Sequence, residues 1–194
     1  MTDPAFKAMS VEAYLRSEAE SPFKREYVAG FVYPLHAQAG VTRSHSVIAG
    51  NIFATLHPHA RKQGCRLHLS DMRLRIEEQN TFYYPDVMLV CDTKTGSNMA
   101  ETAPCLLVEV LSESTAQVDR VGKYAMYTGL PSLQTYLLVH QDERRVVEYT
   151  RNPEHPTQWD MREVIQDGKL SIPCLGVALT LDDIFDGVLD AQSS

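Results

Sequence analysis

The residues best suited to chemistry are Asp86, Glu109 and Lys123. Asp86 follows Pro85 and opens a strand-like run, Val87-Met88-Leu89-Val90. Glu109 stands inside Leu106-Leu107-Val108-Glu109-Val110-Leu111, whose other members all want burial. A buried carboxylate is costly unless a cation or hydrogen-bond donors compensate it. A period of two places Leu107, Glu109 and Leu111 on one face of the strand. Two strand-borne acids can converge on a hard cation. Mg²⁺ takes oxygen ligands in near-octahedral geometry, and the backbone carbonyl of Val110 would add one more. Such an ion polarises a phosphoryl oxygen and lowers the pKa of a bound water. Between Glu109 and Lys123 the chain crosses a strand end, a short loop and one helical turn, so Lys123 can point back at the acids. There it would orient the attacking water or neutralise charge developing on the phosphorane.

Each residue has a plainer alternative. Glu109 could pair with a buried arginine. Asp86 could be an ordinary turn acid. Asp119, Lys123 and Tyr127 fall at i, i+4 and i+8, and a surface Asp–Lys pair there contributes only about 0.3–0.5 kcal/mol. Glu26 is either a further metal or water ligand or an exposed hairpin acid. Asp71 is either a helper carboxylate or a partner for Arg73 and Arg75. His45 either meets a phosphate or caps its helix, and His57-Pro58-His59 has no third ligand nearby. No Walker loop, Rossmann glycine fingerprint or G-x-S-x-G elbow occurs.

The elements that must position these residues follow from local pattern. Ser10 caps a short helix over 11–19. Residues 25–28 and 31–35 form a hairpin around Ala29-Gly30, with Glu26 on its first arm. Thr42 or Ser44 opens a longer helix with Val47, Ile48, Ile52, Phe53 and Leu56 on one face. Pro58 should kink or stop it, and Gly64 closes the segment. Residues 65–77 are strand-rich and 77–80 turn. Residues 81–91 return as one strand, with Pro85 marking an edge or a bulge. Residues 92–104 are a loop and 105–111 a central strand. Ser114 and Gln117 fit a capping box for the next helix, which Gly129 ends as the C′ residue. Residues 133–140 and 144–151 are strands. Residues 159–165 and 169–172 form a hairpin around Asp167-Gly168. Residues 181–185 make a helical turn, and the tail from 186 is polar. The whole is a single domain, 1–194, of mixed α/β class.

Composition bounds the rest. With 194 residues, 44% hydrophobic and 22% charged, the chain can bury a full core. No stretch has the ~18 apolar residues of a membrane span, and residues 1–11 lack a secretory signal, so a cytoplasmic location is expected. Cys65, Cys91, Cys105 and Cys174 have no C-x-x-C pair and are expected to be buried free thiols. The net charge of −7 opposes coating of nucleic acid by charge alone. However, Arg61, Lys62, Arg66, Arg73 and Arg75 lie close in sequence, with Asp71 the one acid among them. They make either a local polyanion-binding patch or a solvated face.

In combination these residues resemble the Uma2 family of bacterial endonucleases. The resemblance rests on Pro85-Asp86-Val87, on Val108-Glu109-Val110-Leu111-Ser112 with Ser114-Thr115, and on Asp119, Lys123, Tyr127 and Gly129. Arg25-Glu26-Tyr27 with Gly30, Ser44-His45 and Ser70-Asp71-Met72-Arg73 extend it over 11–151. It implies the restriction-endonuclease-like fold of the PD-(D/E)XK superfamily, a central mixed β-sheet flanked by helices. It assigns metal binding to Asp86 and Glu109 and a supporting carboxylate to Glu26. The superfamily lysine stands two residues after the second acid, where this chain has Leu111, and Lys123 takes its place from the helix. The expected activity is Mg²⁺-dependent (or Mn²⁺-dependent) DNA cleavage. His45, Arg61, Arg66, Arg73 and Arg75 would meet phosphates, and a homodimer would suit cutting two strands. The competing expectation is a nuclease-like fold kept as a non-catalytic binding module. An enzyme acting on RNA or small phosphoesters would share the metal site.

Overall fold

Ser10 starts the first helix, α1 (Val11–Glu20), by accepting the Ala13 N–H at 3.2 Å. The chain then folds into a hairpin of β1 (Arg25–Val28) and β2 (Phe31–Pro34). Both turn residues have positive φ, Ala29 at 47° and Gly30 at 99°, as the tight hairpin turn demands. Thr42 caps α2 (Arg43–Gln63), accepting the His45 N–H at 3.1 Å, and Gly64 ends it at φ 70°. Pro58 does not stop this helix. It forfeits one backbone bond, but Leu56 and Ala60 on either side of it are buried with Ile48 and Ile52, and that packing prevails. This is a computed structural model, and it describes residues 8–35, 42–92, 96–111 and 122–188. The expected capping box at Ser114 and Gln117, and Asp119, lie outside the described residues.

Two large sheets and a two-stranded ribbon follow, and the six-stranded one is the expected central mixed sheet. The first has the order β2-β1-β5-β4-β7, with β4 (Arg73–Ile76), β5 (Thr81–Tyr83) and β7 (Ala100–Glu101). The second is mixed and six-stranded, in the order β11-β10-β9-β8-β6-β3. It contains β3 (Arg66–Leu69), β6 (Val87–Val90), β8 (Leu106–Leu111), β9 (Thr135–His140), β10 (Arg145–Arg151) and β11 (Trp159–Ile165). In it β8 runs parallel to β9 and antiparallel to β6. A single helical turn, α3 (Tyr124–Tyr127), precedes β9. A ribbon of β12 (Lys169–Ile172) and β13 (Val177–Thr180) leads into α4 (Leu181–Phe185), where Thr180 and Asp183 form a reciprocal capping box.

Several expectations are corrected. Residues 81–91 are two strands in different sheets, because Pro85 has no N–H for a ladder and the chain crosses between sheets there. Residues 92–104 contain β7, two residues paired parallel to β4. β11 pairs with β10, not with β12; the partner of β12 is β13, whose short Val177–Thr180 run the pattern did not reveal. The cysteines are bridged, Cys65 to Cys91 and Cys105 to Cys174. Pairs distant in sequence meet where the ends of α2, β6, β8 and β12 come together.

The core has two faces about the second sheet. On one, Leu106, Val108 and Val110 pack with Ile48, Ile52 and Leu56 of α2 and with Ile184 of α4. On the other, Leu107 and Leu111 join Leu74 and Tyr83 of the first sheet and Tyr127 of α3. A smaller cluster of Tyr14, Tyr27 and Phe82 holds α1 against the outer face of the first sheet. Among the described residues, no helix is long and apolar enough to cross a membrane.

Gly30 tests the hairpin that carries Glu26. A Cβ there would stand 2.7 Å from the Ala8 Cβ, on backbone already at φ 99°. Gly30→Ala should cost about 1–3 kcal/mol. The urea midpoint should fall with the m-value unchanged.

Candidate active site

Alternation along the strands decides which side chains reach the space between the sheets. Tyr27 on β1 faces α1, so its neighbour Glu26 faces the second sheet. On β8, Val108 and Val110 face α2, so Glu109 points the other way, towards Tyr83 and Tyr127. Lys123 precedes α3 by one residue, and Tyr127 follows one helical turn later, on the same side. Asp86 sits where the chain passes from β5 to β6, and its carbonyl accepts the Ser70 N–H at 3.0 Å.

These placements bring charge together. Glu109 is 3% exposed and Lys123 is 5% exposed. Lys123 Nζ donates to Glu109 Oε1 at 3.1 Å and lies 3.3 Å from Glu26 Oε1. The Tyr127 hydroxyl donates to the same Glu109 oxygen at 2.7 Å. Burial, followed by the Glu109 charge, pushes the Tyr127 hydroxyl well above its ordinary pKa, so it remains a donor. The Lys123 ammonium also lies 5.6 Å from the centre of the Tyr83 ring.

Asp86 bridges the other core face. Its Oδ1 meets His45 Nε2 at 3.0 Å, and its Oδ2 accepts the Val110 N–H at 2.7 Å. The β6–β8 ladder ends at Val87 opposite Val108, so the Asp86 side chain takes up the next β8 amide in line. The two acids are thereby coupled, since Val110 adjoins Glu109. The structure thus joins Glu26, Glu109 and Lys123, and links Asp86 to His45 and Val110.

The basic residues are dispersed. Arg61 is exposed in the last turn of α2, about 24 Å along the helix from His45. Arg66 pairs in register with Val90, at the far end of β6 from Asp86. Arg73 and Arg75 belong to the first sheet; Arg73 is buried and donates to the Met99 carbonyl, while Arg75 pairs with Glu77. The segment is therefore not one cationic surface. Asp71 is exposed and pairs with Lys24, not with Arg73 or Arg75.

Two features escaped the pattern. Tyr127 shares the Lys123 face, a signal visible in the i, i+4 spacing, but its bond to Glu109 was not expected. Glu101 was placed in a loop, yet it is 3% exposed and binds Arg66 Nε at 2.7 Å and His68 Nε2 at 3.0 Å. Burial raises its pKa, but the Arg66 and His68 bonds and charges outweigh that and hold it below the usual carboxylate range.

With this geometry in view, comparison with known proteins is informative. The family model Uma2, described as "Putative restriction endonuclease", matches residues 11–183. The chain is 32% identical over 184 residues to "Uncharacterized protein slr1290" of Synechocystis, covering 94% of both chains. It is 33% identical over 162 residues to "Uncharacterized protein sll1609" of the same organism, covering 82% of this chain and 89% of the other. A crystal structure of "a putative nuclease" from Anabaena variabilis superposes with a TM-score of 0.70 at 18% identity, over 93% of this chain and 99% of that one. That likeness shows a shared fold, in keeping with the restriction-endonuclease-like architecture expected.

Lys123→Met would leave two buried carboxylates facing each other without their shared ammonium. The expected loss is about 3 kcal/mol in urea denaturation, most of it recovered in the double variant Lys123→Met/Glu109→Gln. Glu101→Gln should lose about 2 kcal/mol at neutral pH. Because the folded pKa of Glu101 is lowered, its contribution is complete above the ordinary carboxylate range and disappears as pH falls through the lowered value. Stability curves of the two proteins should therefore converge in acid.

Proposed function

The chain belongs to the Uma2 family, and on that premise we propose that it is a Mg²⁺-dependent endodeoxyribonuclease, with Mn²⁺ as an effective substitute. The observation that supports this reading best is a charge imbalance. Among the described residues, two buried carboxylates, Glu26 and Glu109, share one ammonium, Lys123, while a third, Asp86, binds His45 and the Val110 amide beside Glu109. Glu26 Oε1 is buried and, among the described residues, has the Lys123 ammonium at 3.3 Å but accepts no hydrogen bond. A purely structural ion pair needs one acid for its ammonium, whereas a divalent cation would offset the second.

The donor set fits such an ion. Carboxylate oxygens and the Val110 carbonyl are the hard ligands that Mg²⁺ prefers. Asp86 and Glu109 would hold it and Glu26 would complete the acidic cluster. When bound, the cation supplies Lewis-acid polarisation of a phosphoryl oxygen and a water of lowered pKa. The chain's own residues do the rest. Lys123, held by Glu109 and Glu26, places positive charge where the phosphorane develops it. Tyr127 fixes the Glu109 carboxylate in one orientation. His45, fixed by Asp86, would meet an approaching phosphate with its partly exposed ring. Arg61 and Lys62 at the far end of α2 would extend phosphate contact along the duplex. Arg73, being buried, is not assigned such a contact, and Arg66 makes one only by sharing its guanidinium with Glu101. A homodimer is the assembly that suits cleavage of both strands.

The test is cleavage of supercoiled and branched DNA with Mg²⁺ or Mn²⁺. Glu109→Gln and Asp86→Asn should each lower the rate by roughly 100-fold or more, and Lys123→Met by a similar factor. Wild-type rates in Glu109→Gln would reject the site. Cleavage of RNA with DNA untouched would reassign the substrate.

A further inference from the structure

All four cysteines of the chain converge at one place outside the acidic site. Cys65 follows the end of α2, Cys91 follows β6, Cys105 precedes β8, and Cys174 lies in the turn between β12 and β13. The Sγ atoms of Cys91, Cys105 and Cys174 all lie within 4.8 Å of one another, and Cys65 is bridged to Cys91. The unbonded pair Cys91 and Cys105 is 3.8 Å apart. A tetrahedral zinc centre with Zn–S bonds of about 2.3 Å has S···S edges of about 3.8 Å. From these positions we propose a second metal site: when its two disulfides are reduced, this cluster is a four-thiolate cage for one thiophilic divalent cation of the Zn²⁺ class.

The surroundings suit a structural centre. The sulfurs are half-buried or buried, and they come from four separate segments of a rigid frame. The Cys105 N–H donates to the Leu89 carbonyl at 2.8 Å, the Cys65 N–H to the Ala60 carbonyl at 2.9 Å, and Gln63 Nε2 ties α2 to the Leu175 carbonyl at 2.7 Å. Four thiolates on a divalent ion leave two negative charges, and Arg61 and Lys62 in the last turn of α2 share this end of the molecule. β6 and β8 carry Asp86 and Glu109 near one end and cysteines at the other, so the cage is about 13–17 Å along the strands from the acids. Four protein sulfurs leave no open position, which marks a structural rather than a catalytic site.

Two molecules of a dithiol reductant give up four electrons and four protons, open both disulfides to four thiols, and become two cyclic disulfides. One divalent ion then displaces four protons as it binds four thiolates. The oxidised form holds the same four segments by bridges, so one cluster serves two redox conditions.

The experiment uses the full chain, reduced with dithiothreitol and exchanged into reductant-free, oxygen-free buffer. Titration with Co²⁺ should saturate at one equivalent per chain, with the strong thiolate charge-transfer and visible bands of tetrahedral cobalt. Zn²⁺ should abolish those bands and protect all four thiols from alkylation. Glu109→Gln should keep the bands, and Cys174→Ser should lose their four-thiolate form. If reduction unfolds the chain, Zn²⁺ should restore the native circular dichroism. The proposal is overturned if reduced protein takes up Co²⁺ without charge-transfer bands or takes up none. It is equally overturned if the bands depend on Glu109, persist in full in Cys174→Ser, or if unfolded reduced protein fails to refold with Zn²⁺.

Discussion

The structure depends on the burial of one carboxylate. Glu109 lies in the middle of the second sheet, between Val108 and Val110, with almost no access to water. A charge in that position is tolerable only with cationic and hydrogen-bonding partners of good geometry. Lys123 and Tyr127 supply them, one helical turn apart, which fixes where the chain must return after β8. Glu26 draws the first sheet into the same contact through Lys123. The ion-pair cluster therefore joins both sheets and α3 at one point.

A second constraint is the crossing at residues 84–86. Pro85 interrupts a strand-like run that would otherwise have continued through one sheet. The break delivers Asp86 to a position where it binds both the β8 backbone and His45 of α2. A helix on one core face and an acid cluster on the other are thus linked through a single side chain. Neither contact is possible if residues 81–91 remain one straight strand.

Much of this was legible in the sequence. Helix starts at Ser10 and Thr42, the Ala29-Gly30 hairpin and the central 105–111 strand follow from local rules that the structure obeys. The oddity of Glu109 in an apolar run also pointed to a buried partner, and the spacing to Lys123 pointed to which one. What escaped were non-local decisions. Whether 159–165 pairs backward with β10 or forward with β12 depends on which partner offers the longer apolar face, and no local signal carries that. The pairing of the cysteines and the burial of Glu101 likewise arise only when distant strand ends meet. The run Arg61 to Arg75 misled for the converse reason: its cations are adjacent in sequence but are divided between two sheets and a helix end.

Metal binding at the acids is tested by calorimetric titration of the oxidised, disulfide-bridged protein with Mn²⁺, beside Asp86→Ala and Glu109→Ala, each verified as folded. Oxidised cysteines offer no thiolate, so the signal reports on the carboxylates alone. The wild type should bind saturably and both variants should lose binding, with or without DNA present. A folded wild type that binds no ion at millimolar Mn²⁺, even with DNA added, would contradict metal binding at the acids and leave the fold as a binding module.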